Sequence, residues 1–354
     1  MATRRAITPL LDTPKMTATR WHSYDAPDRT ASDPEPPGRH RASPWVPQRE
    51  GKVGTMTDWT ALTARAGRAG HDLVGWLMWD PETIARFEAL GVPNGTGWLL
   101  SWRLAALGDI APAAAAAATY SVNPAVIELV MGLYRGIADP EAICAVRDQS
   151  AIPGLEAIAP GLPDAIAPLA DDLWRGVDAV HHGARPMFAA LRAQPRPPAS
   201  DAALSAWLAV NCLRELRGDN HWALCAAADL DDVEVGLLHS VMVDVDEYGG
   251  EEWIARSRGN DDEAISRGWA RLEAKGLAAG RAVNDAGRQF RLQLEERTNE
   301  LTAPAWEAVG ESATVALCDA VEPHHDALLA QIDATAGPRW MPAARQRGVE
   351  RRRG

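Results

Sequence analysis

Between Ser200 and Ala227 the chain carries a segment that any fold must surround. On a helical wheel at about 100° per residue, Leu204, Trp207, Leu208, Asn211, Glu215, Gly218, Trp222 and Cys225 share one face. Arg214 and His221 flank that face, and Leu213, Leu216 and Leu224 occupy the reverse. A helix that is apolar all round belongs in an interior, so other helices are expected to wrap this one. Its polar residues, Asn211, Arg214, Glu215 and His221, are then expected in or near the core, where ionised groups need partners. Arg214 and Glu215 are sequence neighbours pointing in different directions, so a direct pair between them is not expected. Gly218-Asp219-Asn220 could break the helix, with Asp219 or Asn220 capping a second one from His221.

Three readings of this polar set stand side by side. It could be an interior network that fixes helix register. It could be the floor of a ligand pocket, in which Arg214 or Arg217 holds an anionic group and His221 exchanges a proton near neutral pH. Glu215, Asp219, Trp222 and His71 complete that candidate site. A metal centre needs three or four ligands; Asp219 and His221, even with His71, supply too few, so neither metal nor cofactor is expected.

The rest of the chain reads as helix after helix. Leu62, Ala66, Ala69, Leu73, Trp76 and Leu77 recur at three-to-four spacing up to Asp80-Pro81. Helices are expected over Pro81–Leu90, Trp98–Leu107, Pro124–Tyr134, Pro140–Ala159, Pro163–Val180 and Pro186–Leu191, several of them started by a proline that loses no amide donor there. Arg196-Pro197-Pro198-Ala199 reads as a linker. Tryptophan outnumbers tyrosine and phenylalanine together, 14 to 7. Trp76, Trp79, Trp98 and Trp102 crowd into the N-terminal half, either as core or as the wall of a cavity for a flat or cationic molecule. The paired histidines His181-His182 and His324-His325 read as surface residues.

The second half changes character. Asn260 caps a helix opened by Asp261, Asp262 and Glu263, Ile265, Trp269 and Leu272 form its buried stripe, and Gly276 ends it. Leu277–Val283, with a central Gly280, is too short for a helix and reads as a hairpin. Asn284 then caps a helix carrying Phe290, Leu294 and Leu301. The fold class expected is mainly α: a helical N-terminal half, then a degenerate winged helix-turn-helix with one small β-hairpin.

Specific residues sharpen this. Glu251-Glu252-Trp253, Arg271 to Leu277, Gly287-Arg288, Glu295, Thr298 and Pro304-Ala305-Trp306 resemble the C-terminal part of an actinobacterial helix-turn-helix family of unassigned function, itself similar to MarR regulators. The likeness extends to Leu213-Arg214-Glu215-Leu216-Arg217-Gly218-Asp219-Asn220-His221 and, more weakly, to His71 and Asp80-Pro81-Glu82. Leu216 and Asn220 stand where the family tends to have His and Gly. The resemblance implies a ligand-responsive transcriptional regulator acting as a homodimer on DNA. The alternative is an enzyme or small-molecule-binding protein on a winged-helix scaffold that no longer binds DNA.

Charge bears on that choice. The net charge of −12 is a composite: residues 1–55 carry +3, residues 336–354 carry +5, and the body between carries −20. Across Asp229 to Glu300 there are 9 Lys/Arg against 17 Asp/Glu. Each phosphate contact needs a local cation, and the candidates are Arg256, Arg258, Arg267, Arg271 and Arg281. No run of residues is long and apolar enough for a membrane span, and Cys144, Cys212, Cys225 and Cys318 form no Cys-x-x-Cys pair. A cytoplasmic protein with reduced thiols is expected.

The expected organisation is a disordered tail over 1–55, a helical domain over 56–198, a winged-helix-like domain over 199–310, a C-terminal helix over 311–335 and a basic disordered tail over 336–354. The first tail holds eight prolines and no hydrophobic period. Glu50-Gly51-Lys52 before Met56 would be encoded by purine-rich codons, so that tail could be an untranslated leader with Met56 as the start.

Overall fold

The computed structural model describes residues 57–92 and 98–345. The tail over 1–55, the Met56 start, the Trp98 side chain and Arg351 to Arg353 lie outside the described side chains. From Thr57 onward the chain forms one compact unit.

The first helices are α1 (Trp59–Gly75), α2 (Pro81–Ala89), α3 (Trp98–Ala105), α4 (Pro112–Thr119), α5 (Pro124–Arg135) and α6 (Pro140–Ile158). Side chains start three of them: Asp58 accepts from the Ala61 amide, Asp80 from Thr83 and Asn123 from Ala125, with proline in the first turn of α2 and α5. Pro112 also starts α4, an alanine helix that periodicity did not reveal because every face is small and apolar. Next come α7 (Leu162–Ile166), α8 (Ala170–Asp178) and α9 (Pro186–Arg192). One helix was expected over Pro163–Val180; a 3₁₀ turn at Ala167–Leu169, where Pro168 lacks an amide, divides it.

At the centre lies α10 (Ala202–Ala227), packed by α1, α8, α9 and by α15 (Asp285–Val309). It runs unbroken through Gly218-Asp219-Asn220, contrary to the expected break. Both polar side chains that could have capped a new helix are used elsewhere. Asp219 accepts from the Phe188 amide and Asn220 bridges Arg185 and Thr302. Every residue from Ser205 to Leu216 is buried. The close helix approaches use glycine: a Cβ on Gly176 would come within 2.8 Å of the Ala305 carbonyl oxygen.

The apolar interior is in two parts, and α10 runs through both. The larger part takes Ala206 to Leu216 of α10 together with α1, α6, α8 and the end of α15. It also takes α16 (Glu311–Val321) and α17 (His325–Thr335). The single C-terminal helix expected over 311–335 is thus two helices, separated by a 3₁₀ turn containing Pro323. The smaller part takes Cys225 and the helix–hairpin module that follows α10.

That module comprises α11 (Asp232–Leu238), α12 (Val245–Tyr248), α13 (Trp253–Ser257), α14 (Asp262–Ala274), the antiparallel pair β1 (Ala278–Ala279) and β2 (Ala282–Val283), and the start of α15. Asp231 and Glu234 close a reciprocal capping box on α11. A Cβ on Gly236 would stand 2.9 Å from the Ala255 Cα, so α11 and α13 cross closely there. The hairpin pairs Ala278 with Val283 and Ala279 with Ala282. Its turn puts both Gly280 and Arg281 at positive φ, the geometry whose twist suits a two-residue hairpin. The cap of α14 is Asp261, accepting from Ala264, whereas Asn260 turns its amide to the Ala255 carbonyl. Of the apolar residues that recur along α15, Leu294 is buried and Leu301 is exposed. The fold is mainly α with one hairpin, in the winged helix-turn-helix order.

Candidate functional site

The charged residues of α10 meet those of α1, α3 and α15 in the interior. Glu215 is 2% exposed and accepts a fork from Arg103 of α3, Nε to Oε1 and Nη2 to Oε2, each at 2.8 Å. Arg214 also donates to it, at 2.6 Å. The two neighbours on α10 therefore do pair, because the long guanidinium folds back along the helix. Burial alone would raise the Glu215 carboxyl; Arg103 and Arg214 outweigh it and hold it at about 2. Asn211, one turn earlier, accepts from Arg214 through Oδ1, and its buried Nδ2 has no partner.

A second carboxylate anchors the other end. Glu295 of α15 accepts from Arg217 of α10 and, at 2.9 Å, from Arg291 one turn back on its own helix. Burial pushes its carboxyl up, but Arg217 and Arg291 hold it well below the usual range. Arg217 also donates to Asn299 at 3.3 Å. Gly67 of α1 lets it lie there, since a Cβ would stand 3.0 Å from its Nε.

His221 sits between these groups. Its Nδ1 lies 2.9 Å from the Thr298 hydroxyl, which already donates to the Leu294 carbonyl. That hydroxyl can then only accept, so His221 carries its proton on Nδ1. Burial, then Arg291, lowers its imidazole to about 3. Burial, then Arg214 and Arg217, lowers His71 of α1 to about 3 as well. Burial thus holds the His221 ring in its neutral form, which does not favour the proton exchange near neutral pH that the pocket reading offers. Asp219, pushed up to about 7 by burial, accepts the first amides of α9. Trp222 edges against His221 and stacks on Tyr120, centroids 5.7 Å apart.

Trp76, Trp79 and Trp102 lie in the packed core. The indoles of Trp76 and Trp207 both donate to the Leu73 carbonyl at 3.0 Å. Trp79 packs on Trp340, and Trp102 on Trp207. Arg214, Glu215, Arg217, His221 and His71 are thus brought together; Trp76 and Trp79 pack elsewhere, against Gly154 and Trp340.

The turn between α13 and α14 is tied to the helical body. Arg258 points inward, donating to the Ser121 hydroxyl at 3.1 Å, and burial followed by Arg103 lowers its guanidinium to about 10. Asn123 donates its backbone amide to the Arg258 carbonyl at 3.0 Å and its side-chain amide to Gly259 and Asn260. His239, lowered by burial, Arg291 and Arg258, stands between this turn and the α15 end of the cluster.

A family model described as a helix-turn-helix family matches residues 63–336. The chain belongs to that helix-turn-helix family. No curated protein and no solved structure matches. The matched span runs from α1 through α17, so it includes the buried cluster as well as the helix–hairpin module.

Within the helix-turn-helix, every arginine expected to touch DNA is otherwise engaged. Glu252 accepts from Arg256 at 2.6 Å, from Arg281 at 2.6 Å and from the Trp269 indole at 2.9 Å. Arg256 also pairs with Asp262, and Arg267 with Glu263. Arg271 pairs with Asp231, and Arg258 is turned inward. The exposed residues of α14 include Asp262, Glu263, Ser266, Arg267, Ala270 and Glu273, a face with one cation against three acids.

Sequence reasoning missed Arg103, Arg291, His239 and Asn299, and met Glu295 and Thr298 only as family-like letters. The available signal was the i, i+4 pair Arg291–Glu295 followed by Thr298 and Asn299 on the same side of a helix as Leu294. Arg103 gave none, being one cation in an apolar helix. His325 is part-exposed and pairs with Asp72 at 2.8 Å. Among the described residues no group of three His, Cys, Asp or Glu side chains is placed to hold a metal ion, and no helix is long and apolar enough to cross a membrane.

The buried imidazoles set a pH dependence. His71 and His221 fall from 6.5 to about 3 on folding, so between those values the unfolded chain binds protons that the folded chain refuses. Their stabilisation is present above 6.5 and lost as pH falls. Asp219, raised from 3.8 to about 7, has the opposite sign and offsets one proton. His239 is lowered in the same direction, so the three rings outweigh Asp219 and stability falls as pH drops below about 6. Thermal melts between pH 7 and 5 should show a falling Tm; a flat or rising Tm would mean that the rings are solvated.

Proposed function

We propose that the protein is a ligand-responsive transcriptional regulator of MarR-like type, whose reading module is coupled to the buried charged cluster. The observation that carries this reading is the tie at the helix-turn-helix turn. Arg258 and its neighbours are held by Ser121 and Asn123, and Arg258 approaches Arg103, the partner of Glu215. A ligand that rearranges the cluster would thereby shift α13 relative to α14, and a shift of the turn re-aims a reading helix. Family membership supports DNA as the partner, since this motif presents a helix to the major groove. A homodimer belongs to the same reading, because two half-sites require two reading helices. With its cations paired to carboxylates, the state described here is the weak-binding one.

The acidic exposed face of α14 favours a second reading, a ligand-binding protein or enzyme on a winged-helix scaffold without DNA binding. A gel shift on the DNA upstream of its own coding sequence separates the two. The regulator reading expects specific retardation that weakens steeply with salt. Absence of retardation at the lowest salt would support the scaffold reading instead.

A further inference from the structure

One stretch of surface departs from the charged character of the body. From Ala111 to Ala138, the stretch that holds α4 and α5, Glu128 and Arg135 are the only charged residues, in a chain of which 24% is charged. The two helices pack on each other, and α4 leaves Ala113, Ala114 and Ala117 exposed. On α5 the exposed residues Ala125, Leu129 and Gly132 share one helix face, and Gly136 continues it just past the helix end. Leu129, 54% exposed, is the most exposed large apolar side chain among the described residues. Gly132 lies inside the helix, where glycine is a poor former. A Cβ on Gly132 or on Gly136 would meet nothing within 4 Å, so packing within the chain asks for neither glycine.

The two charges of this face are self-complementary. Glu128 and Arg135 stand seven residues apart, two turns of helix, and so lie along the same edge of the apolar face. When two copies of a helix pack antiparallel about a two-fold axis, like edges meet, and residue i opposite residue j implies j opposite i. An axis passing between Met131 and Gly132 sets Glu128 of each copy opposite Arg135 of the other, with Gly132 at the closest approach and Leu129 beside it. Glu128 is exposed and has no ion-pair partner among the described residues. Arg135 donates from Nη2 to the Ile110 carbonyl and pairs with Asp109, and a guanidinium carries donors on two further nitrogens. The start of α5 also touches the helix-turn-helix: Asn123 donates to the Arg258 carbonyl, and a Cβ on Gly259 would overlap Val126 Cγ2.

We propose that the exposed face of α5, centred on Leu129 and Gly132, is the surface through which two copies of this chain pair antiparallel. This gives the homodimer of the proposed function its interface, and it rests on that reading. Pairing there fixes the two helix-turn-helix turns relative to each other through Asn123 and Val126. Twelve residues make a face about 18 Å long and 10 Å wide, well short of the roughly 800 Å² per partner of a standard interface. The expected dimer is therefore concentration-dependent, with a dissociation constant in the micromolar range.

Sedimentation velocity of the full chain over about 1–100 μM tests this, and the wild type should pass from monomer to dimer. Gly132→Glu meets open space in the monomer, so it should keep or raise the Tm while weakening association about tenfold or more. Glu128→Arg and Arg135→Glu should each weaken association, and an equimolar mixture of those two chains should recover it, since each supplies the charge the other lacks. A wild type that stays monomeric throughout would overturn the interface and the homodimer together, and leave the face to residues 1–55 or to a different protein. A dimer unchanged by folded Gly132→Glu and Glu128→Arg would overturn the interface alone and leave the homodimer on another surface.

Discussion

Glu215→Ala is expected to lower the unfolding free energy by about 3–5 kcal/mol, the cost of leaving buried charges without their partner. Glu215 is the common acceptor of Arg103 and Arg214, and both guanidiniums are largely withdrawn from water. Removing the carboxylate leaves two like charges facing each other in the interior, with Arg258 near Arg103 adding to the repulsion. Glu215→Gln keeps the shape and part of the hydrogen bonding, so it should fall between the alanine variant and the wild type. Chemical denaturation with the two variants side by side checks the claim. A loss below about 1 kcal/mol for Glu215→Ala, the size typical of a solvated surface pair, would show that the cluster is wet and that its charges are screened.

The second large effect is expected at Gly287, in the first turn of α15. A Cβ there would overlap the Leu277 carbonyl oxygen and stand 2.7 Å from Val283 Cγ1. The Leu277 carbonyl is fixed, because it accepts from the Asn284 amide at the helix cap. Gly287→Ala must push the hairpin off α15, at about 1–3 kcal/mol, the cost of overpacking a close contact. Local amide exchange should rise across Leu277 to Val283 and over Leu272. Exchange unchanged there would mean that the wing does not bear on α15.

These two sites show how unevenly the sequence displayed its structure. The hairpin was legible because Gly280 interrupts a short apolar run and Asn284 is placed to cap the next helix; local chemistry alone decides both. The burial of α10 was legible because apolar residues line both sides of it. The partners of its charged residues were not. Arg103 lies 112 residues before Glu215, and Glu295 lies 78 residues after Arg217, separations over which no periodicity carries information. The unbroken run through Gly218-Asp219-Asn220 was hidden for the same reason. Asp219 and Asn220 are good local caps, and only the nearby start of α9 and the Thr302 hydroxyl give them other employment. The five arginines expected on DNA were found by type and position, but the carboxylates that hold four of them had to be seen in three dimensions.

Glu252 is where that electrostatic restraint concentrates, since it accepts from Arg256 of α13 and from Arg281 at the wing tip. Both are half-exposed, so neutralising Glu252 would release Arg281 to the face that a groove would meet and leave Arg256 held by Asp262 alone. The most direct test of the regulator account is therefore a salt-series gel shift on the upstream DNA with wild type and Glu252→Gln in parallel. The account predicts that both retard the DNA, that Glu252→Gln binds more tightly, and that its salt dependence is steeper by about one phosphate contact. No retardation of either protein at the lowest salt would contradict it and leave the ligand-binding scaffold as the function.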